Sequence, residues 1–110
     1  MSKYHSRKIK NRYGEFDSKA EFERYLILLD MQKCGEISEL TWQVVYVLIP
    51  PQKCITRPNE RACKYLADFR YIKDGKTIVE DVKGIRTKDY IIKRKLMLYI
   101  HGIEIVEVKA

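Results

Sequence analysis

An Asp-Gly pair at positions 74 and 75 constrains the fold of this chain more than any other sequence feature. The pair separates two segments rich in β-branched and aromatic residues, 64–72 and 77–83. Asp-Gly is a preferred choice for the two central residues of a type I′ turn, which joins antiparallel strands. The sequence therefore predicts a tight hairpin in which Lys73 faces Lys76.

The register of this hairpin places Asp68 opposite Asp81. Directly opposed residues of an antiparallel pair share one face, with Cβ atoms about 4.5–5.5 Å apart, and like charges there are destabilising. Neighbouring apolar residues such as Leu66, Phe69 and Val79 indicate strands near the centre of a sheet. Two carboxylates in such a place need a cation.

Two kinds of cation suit these aspartates. Lys83 lies two residues beyond Asp81, so strand periodicity puts its ammonium on the same face, and one interpretation is a structural Asp-Asp-Lys cluster. The other is a divalent metal site, because Mg²⁺ prefers oxygen ligands and is often held by one or two carboxylates and a substrate phosphate. The chain has 22 Lys plus Arg against 15 Asp plus Glu and a net charge of +7, which favours a phosphate-bearing partner.

The remaining segments predict an α/β fold. Ser18 and Glu21 have the spacing of a capping box, and the helical apolar pattern that follows ends at Gly35, which predicts a helix over 18–34. Thr87 begins a second helical pattern that ends before Gly102. Strand-like composition marks four segments, which are 42–49, 64–72, 77–83 and 103–108. The predicted order is α-β-β-β-α-β, with a helix that crosses over between strands.

The chain has room for one domain. Residues 1–13 carry several bases and no acid, so we expect a basic N-terminal arm and a single α/β domain over 14–110. Such an arm either contacts phosphates or is a solvated tail. No apolar run approaches the roughly 18 residues that cross a bilayer, and the N-terminal segment does not resemble a secretory signal. We therefore expect a cytoplasmic protein that does not enter membranes.

Several motifs together resemble the PD-(D/E)xK nuclease superfamily, which includes restriction endonucleases and Holliday-junction resolvases. The resemblance lies in the order of elements, a Glu in the first helix, Asp68 in the second strand and Asp81-Val82-Lys83 in the third. More narrowly, the segments FDSKAE, YLADFRY and VEDVKG and the later KRK resemble a small phage-encoded endonuclease-like family within it. The resemblance covers most of the chain. It departs from the superfamily where Ala67 replaces the name-giving proline.

This resemblance implies a restriction-endonuclease-like αβββαβ core with a mixed central sheet. It implies that Asp68 and Asp81 are metal ligands and that Lys83 positions or activates the attacking water. Glu21 takes the catalytic role of the helix-borne acid, with Glu23 as the alternative because Glu21 also fits the capping box. The implied cofactor is Mg²⁺, for which Mn²⁺ substitutes.

Basic residues outside the hairpin are candidates for holding a nucleic-acid backbone. They are Lys8, Lys10 and Arg12 in the arm, and Lys88, Lys93, Arg94 and Lys95 in the second helix. A solvated outer face is the alternative for the helical group.

The leading hypothesis is a Mg²⁺-dependent DNA endonuclease that selects junctions or forks in phage DNA replication, recombination or packaging. It would work in the host cytoplasm if phage-encoded, and as a homodimer if it cuts both strands. One alternative is a non-catalytic DNA-binding or replication-accessory protein on a nuclease scaffold. The other is a nuclease that acts on RNA, because charge alone does not separate the two substrates.

Overall fold

The computed structural model describes residues 8–110, which form six strands and two helices. In chain order these are β1 (Ile9–Asn11), β2 (Gly14–Phe16), α1 (Lys19–Lys33), β3 (Ser38–Ile49), β4 (Cys63–Lys73), β5 (Lys76–Lys83), α2 (Lys88–His101) and β6 (Val106–Lys109). The last four strands form one sheet in the order β3-β4-β5-β6. The first three pair antiparallel and β6 pairs parallel to β5, because α2 crosses between them. The α/β class and the mixed sheet are confirmed.

The predicted N-terminal arm falls partly within these residues. Residues 1–7 lie outside the described part of the chain. Further along, β1 pairs antiparallel with β2 as a short two-stranded hairpin. Phe16 at the end of β2 is fully buried, so this hairpin is attached to the core. The boundary drawn after residue 13 therefore runs through the turn of a hairpin.

Both helices begin and end where their capping residues predict. Ser18 Oγ accepts a hydrogen bond from the backbone N–H of Glu21 at 3.1 Å, and Thr87 Oγ1 accepts one from the N–H of Tyr90 at 3.1 Å. At the other ends, Gly35 has φ +82° and Gly102 has φ +67°, a left-handed conformation that glycine adopts at little cost. The two predicted helices are confirmed to within about one residue.

Two strand boundaries differ from the prediction. β3 begins at Ser38, before the predicted start at Trp42, and its early part is irregular, with a register shift and φ +54° at Glu39. Such an irregularity breaks the alternation on which sequence-based assignment depends. β6 begins only at Val106, because the N–H of Ile103 still donates to the last turn of α2.

The sheet lies between the two helices. Ile78 of β5 packs on the α1 side and the next residue, Val79, packs on the α2 side. Because successive side chains of a strand point to opposite faces, α1 and α2 cover opposite faces of the sheet. The α2-side cluster comprises Leu48, Tyr65, Ala67, Val79, Tyr90, Met97 and Ile105, and the α1-side cluster comprises Phe16, Tyr25, Leu28, Ile37, Phe69 and Tyr71.

Neither helix in residues 8–110 combines the length and the apolarity that crossing a membrane requires.

Candidate functional site

The register that the Asp-Gly turn predicts is confirmed along most of the hairpin. The pairs between β4 and β5 run from the turn to Phe69 and Glu80 as expected. Regular pairing ends there, one position before Asp68 would face Asp81. The two aspartates therefore lie just beyond the ladder that was expected to hold them.

At this interruption the side chain of Asp68 takes the place of a backbone hydrogen-bond acceptor for β5. Its Oδ2 accepts a hydrogen bond from the N–H of Val82 at 2.7 Å. On the other side of β4, the ladder with β3 has no pair between those of Ala67 and Phe69, and Gln43, which would face Asp68, has φ +59°. Ala67 packs on the α2 side and Phe69 on the α1 side, so β4 changes its buried face here. Irregular positions of this kind re-aim a side chain.

Three of the predicted acids lie close to one another: Glu21, Asp68 and Asp81. Glu21 and Asp81 are each 2% exposed. The carboxyl groups of Asp68 and Asp81 are near enough to share a hydrogen bond when one is protonated, and burial together with this contact raises the pKa of Asp68 to about 9. Burial also raises the pKa of Glu21 to about 7, with the carboxylates of Asp17 and Asp81 adding to the shift. The cluster thus holds more carboxyl groups than its surroundings can neutralise as carboxylates, and it retains protons instead.

Glu21 serves the helix cap and the acidic cluster through different atoms. Its backbone N–H makes the capping hydrogen bond to Ser18 Oγ, while its carboxylate is buried. Among residues 8–110, Glu21 Oε1 is the one buried side-chain nitrogen or oxygen that has no hydrogen-bond partner. The alternative acid, Glu23, is exposed. Because an unpaired buried polar atom costs free energy, Glu21 Oε1 marks a place for a donor or a cation.

One ammonium group lies beside these acids. Lys83 Nζ is 3.4 Å from Asp81 Oδ1 and 4.3 Å from the centroid of the Tyr90 ring. Asp81 Oδ2 accepts a hydrogen bond from the hydroxyl of Tyr65. Lys83 is the only Lys, Arg or His within ion-pair distance of the three acids in the described part of the chain.

The donor set suits a hard divalent cation bound partly by protein. No group of three or more His, Cys, Asp or Glu side chains in residues 8–110 is arranged to hold a metal ion by itself. Mg²⁺ commonly takes one or two carboxylates and completes its shell with water and substrate phosphates. Asp68 and Asp81 offer such a pair, and the partnerless Glu21 Oε1 is a further oxygen in the same cluster.

A buried ion pair ties α1 to β5 beside this cluster. Arg24 donates from Nε to Glu80 Oε1 at 2.9 Å and from Nη2 to Glu80 Oε2 at 2.7 Å. The hydroxyl of Tyr71 also donates to Glu80, which is 1% exposed. Because Arg24 lies on the helix of Glu21, and Glu80 precedes Asp81, this pair fixes the helix-borne acid relative to the strand. Sequence reasoning did not identify this ion pair.

A second cluster that sequence reasoning missed surrounds Glu107 on β6, the neighbour of Asp81 in the parallel register. Glu107 accepts hydrogen bonds from the Tyr90 hydroxyl at 2.8 Å, Arg94 Nη1 at 2.7 Å and Arg86 Nε at 2.8 Å. The Tyr90 hydrogen bond, followed by those of the two arginines, lowers the pKa of Glu107 to about 2. Arg94, predicted to contact nucleic acid, is therefore already engaged.

The other predicted nucleic-acid contacts differ in exposure. Lys8, Lys10 and Arg12 are exposed, and Arg12 stacks over the ring of Tyr13. Lys88 and Lys95 are exposed and lie two helical turns apart, so they share one face of α2. Lys93 is half-buried.

Residues 1–108 of the chain match the family described as "Protein of unknown function (DUF1064)", and the chain belongs to this family. No curated protein and no solved structure matches the chain. The resemblance to PD-(D/E)xK nucleases stays a prediction.

Proposed function

We propose that this member of the DUF1064 family is a Mg²⁺-dependent DNA endonuclease with a restriction-endonuclease-like core. The observation that carries the proposal is the surplus of buried carboxyl groups at the end of the β4–β5 ladder. Glu21, Asp68 and Asp81 are gathered around one ammonium, and one oxygen of Glu21 has no hydrogen-bond partner in residues 8–110. Such a cluster costs folding free energy when no cation is bound, and it can hold a metal ion beside a phosphodiester.

Each residue has a role in this proposal. Asp68 and Asp81 would hold Mg²⁺, or Mn²⁺ in its place, and the ion would supply charge that polarises a phosphoryl oxygen and lowers the pKa of a water molecule. Lys83 Nζ, beside Asp81 Oδ1, hydrogen-bonds the attacking water or the charge that develops on the phosphate. The hydroxyl of Tyr65 orients the Asp81 carboxylate. Glu21, whose buried carboxyl group lies in the same cluster and has one oxygen without a hydrogen-bond partner in residues 8–110, accepts the proton that the water loses.

The substrate class follows from charge and size. A net charge of +7 favours a polyanion, and phosphate contacts alone give little sequence selectivity. A chain of 110 residues offers little surface for reading a long sequence, so we propose selection by DNA structure, such as a fork or junction. Cutting both strands would require a homodimer.

A non-catalytic DNA-binding protein is the second candidate. The observation that favours it is that Asp81 already has partners within the fold, with Lys83 Nζ 3.4 Å from Oδ1 and the hydroxyl of Tyr65 donating to Oδ2. In that case Lys83 and the protonated acids would form a structural cluster without a metal. The two candidates share the basic surface and differ only in what the acids do.

A cleavage assay separates these candidates. Linear duplex, forked and four-way-junction DNA and a duplex RNA of matched sequence would be incubated with the protein in Mg²⁺, in Mn²⁺ and in EDTA. We expect cutting of at least one DNA form with either ion and none in EDTA. Binding without cutting of any form would favour the non-catalytic candidate, and cutting of RNA alone would correct the substrate.

A further inference from the structure

A basic cavity opens beside the acidic cluster, at the carboxyl ends of β5 and β6. Its volume is about 260 Å³, and its lining includes Lys83, Arg86, Glu107 and Lys109. Lys83 belongs to both places, because its ammonium also lies 3.4 Å from Asp81 Oδ1. A strand of nucleic acid with one phosphate at the acidic cluster would therefore have this cavity beside it.

The parallel register of β5 and β6 arranges charges in two rows. Asp81 lies beside Glu107, and Lys83 lies beside Lys109. Like charges on neighbouring strands repel, so each row needs a compensating group. Lys83 and two arginines compensate the acidic row. Within residues 8–110, Lys83 is paired with Asp81 and Lys109 forms no ion pair, so Lys109 is the lysine of this row that lacks an anion.

Arg86 has free hydrogen-bond donors and lines the same cavity. Its Nε donates to Glu107 Oε1 at 2.8 Å, and the side chain is 52% exposed. In the described part of the chain, neither Nη atom of Arg86 donates a hydrogen bond. The two Nη groups of a guanidinium form a planar fork that matches two oxygens of a phosphate.

Glu107 is the carboxylate of the cavity, and it holds Arg86 in place. Its two oxygens already accept from Tyr90, Arg86 and Arg94. The lining therefore carries three cationic side chains against one carboxylate that is shared with a further arginine outside the lining. An anion with several oxygens fits this excess of donors.

We propose that this cavity is a subsite for a backbone phosphate of DNA, bound by Arg86 and Lys109 next to the phosphate at the acidic cluster. The placement of the second phosphate rests on the proposed function, whereas the subsite itself rests on the cavity, the register and the free donors. Binding of this phosphate would fix the register of the DNA strand relative to Asp81 and Lys83.

Salt-dependent binding tests the subsite without requiring cleavage. Affinity for a short DNA duplex would be measured in Ca²⁺ over a range of salt concentrations. The test variant combines Arg86→Gln with Lys109→Gln. The control combines Lys33→Gln with Lys76→Gln, which removes the same charge at exposed positions at the end of α1 and the hairpin turn. We expect the test variant to flatten the slope of log K against log salt by about one unit, and the control to leave it near wild type.

A second measurement locates the phosphate. Forked DNA molecules with one uncharged methylphosphonate linkage, moved along the strand away from the branch point that fixes the binding register, would be bound to both proteins. Wild type should lose affinity at one linkage to which the test variant is indifferent. Equal salt slopes in the test and control variants, no such linkage, or no DNA binding by wild type would overturn the subsite. Wild type that binds in this pattern but cuts no DNA would contradict the proposed function and support the subsite.

Discussion

Asp68 Oδ2 accepts a hydrogen bond from the backbone N–H of Val82 at 2.7 Å, at the point where β4 and β5 stop pairing regularly. One side-chain oxygen thus satisfies a backbone donor that the ladder leaves free. The same contact holds the carboxyl group of Asp68 beside that of Asp81. The acidic cluster is therefore built into the sheet, and its energetics can be measured apart from activity.

Asp81→Asn should separate binding from cleavage. The change keeps the size of the side chain and removes one ligand charge, so we expect Mg²⁺-dependent cutting to fall by at least about a hundredfold. DNA affinity should be unchanged or higher, because one negative charge that repels phosphate is lost. Lys83→Ala should also abolish cutting. Cleavage rate and affinity would be measured on the same DNA.

The control for this prediction is Asp74→Asn in the exposed hairpin turn. It makes the same chemical change beyond the end of β5 that is distant from Asp81. It should cut like wild type. Comparable cleavage by Asp81→Asn and Asp74→Asn would remove Asp81 from the site.

Stability should fall with rising pH when no divalent ion is present. Asp68 has a pKa of about 9 in the folded protein against 3.8 ordinarily, so its contribution is fully present below about pH 4 and is lost as the pH rises towards 9. The free energy of unfolding therefore falls as the pH rises across that window. Glu21, with a pKa of about 7, adds to the fall below neutral pH.

Denaturant unfolding of Asp68→Asn between pH 5 and 9 checks this prediction. The asparagine still accepts from the N–H of Val82, so the main change is the loss of a titrating group. We expect a much flatter pH profile than that of wild type or of the control Asp30→Asn at an exposed position of α1. If the stability of wild type, Asp68→Asn and Asp30→Asn depended on pH in the same way, the buried, protonated state of Asp68 would be refuted.

Arg24→Leu should destabilise the fold strongly. The substitution leaves Glu80, 1% exposed, without its guanidinium partner, and removing one member of a buried pair typically costs about 3 kcal/mol or more. Arg57→Leu is the control, because its ion pair with Glu60 is exposed and should be worth less than about 1 kcal/mol. Free energies of unfolding would be compared, and equal losses would show that the Arg24 pair does not anchor α1.

The cations of α2 should contribute unequally to DNA binding. Arg94 is engaged by Glu107, whereas Lys95 is exposed and Lys93 half-buried. We therefore expect Lys93→Ala with Lys95→Ala to flatten the salt slope by up to about two units, and Arg94→Ala alone to change it little. A salt titration of both variants beside wild type checks this. An unaltered slope in the double variant would assign α2 to packing alone.

Local sequence signals predicted much of this fold because their physics is local. The Asp-Gly turn sets the hairpin and its register, and Ser18 and Thr87 begin the two helices because their hydroxyls accept free N–H groups. The same signals predict that Asp68, Asp81 and Lys83 lie in one region. The irregularity at Asp68 was not predicted, because it depends on how β3 and β4 bend together around Gln43.

The contacts that position the acids depend on residues distant in the chain. Arg24 reaches Glu80 only once α1 packs on the sheet, and Tyr65 on β4 reaches Asp81 on the neighbouring strand β5. Glu107 gains Arg86, Tyr90 and Arg94 only when β6 pairs with β5. Nothing in local spacing specifies these partners. The predicted opposition of Asp68 and Asp81 was the one signal that a compensating partner was needed.

The position of a bound Mn²⁺ tests the central claim most directly. Crystals of the protein would be soaked in Mn²⁺ and the ion located by its anomalous scattering. The account predicts a peak within ligand distance of one oxygen of Asp68 and one of Asp81, and no such peak in Asp81→Asn. A Mn²⁺ peak only elsewhere, or none at saturating Mn²⁺, with Asp81 still paired to Lys83 as at 3.4 Å here, would contradict it.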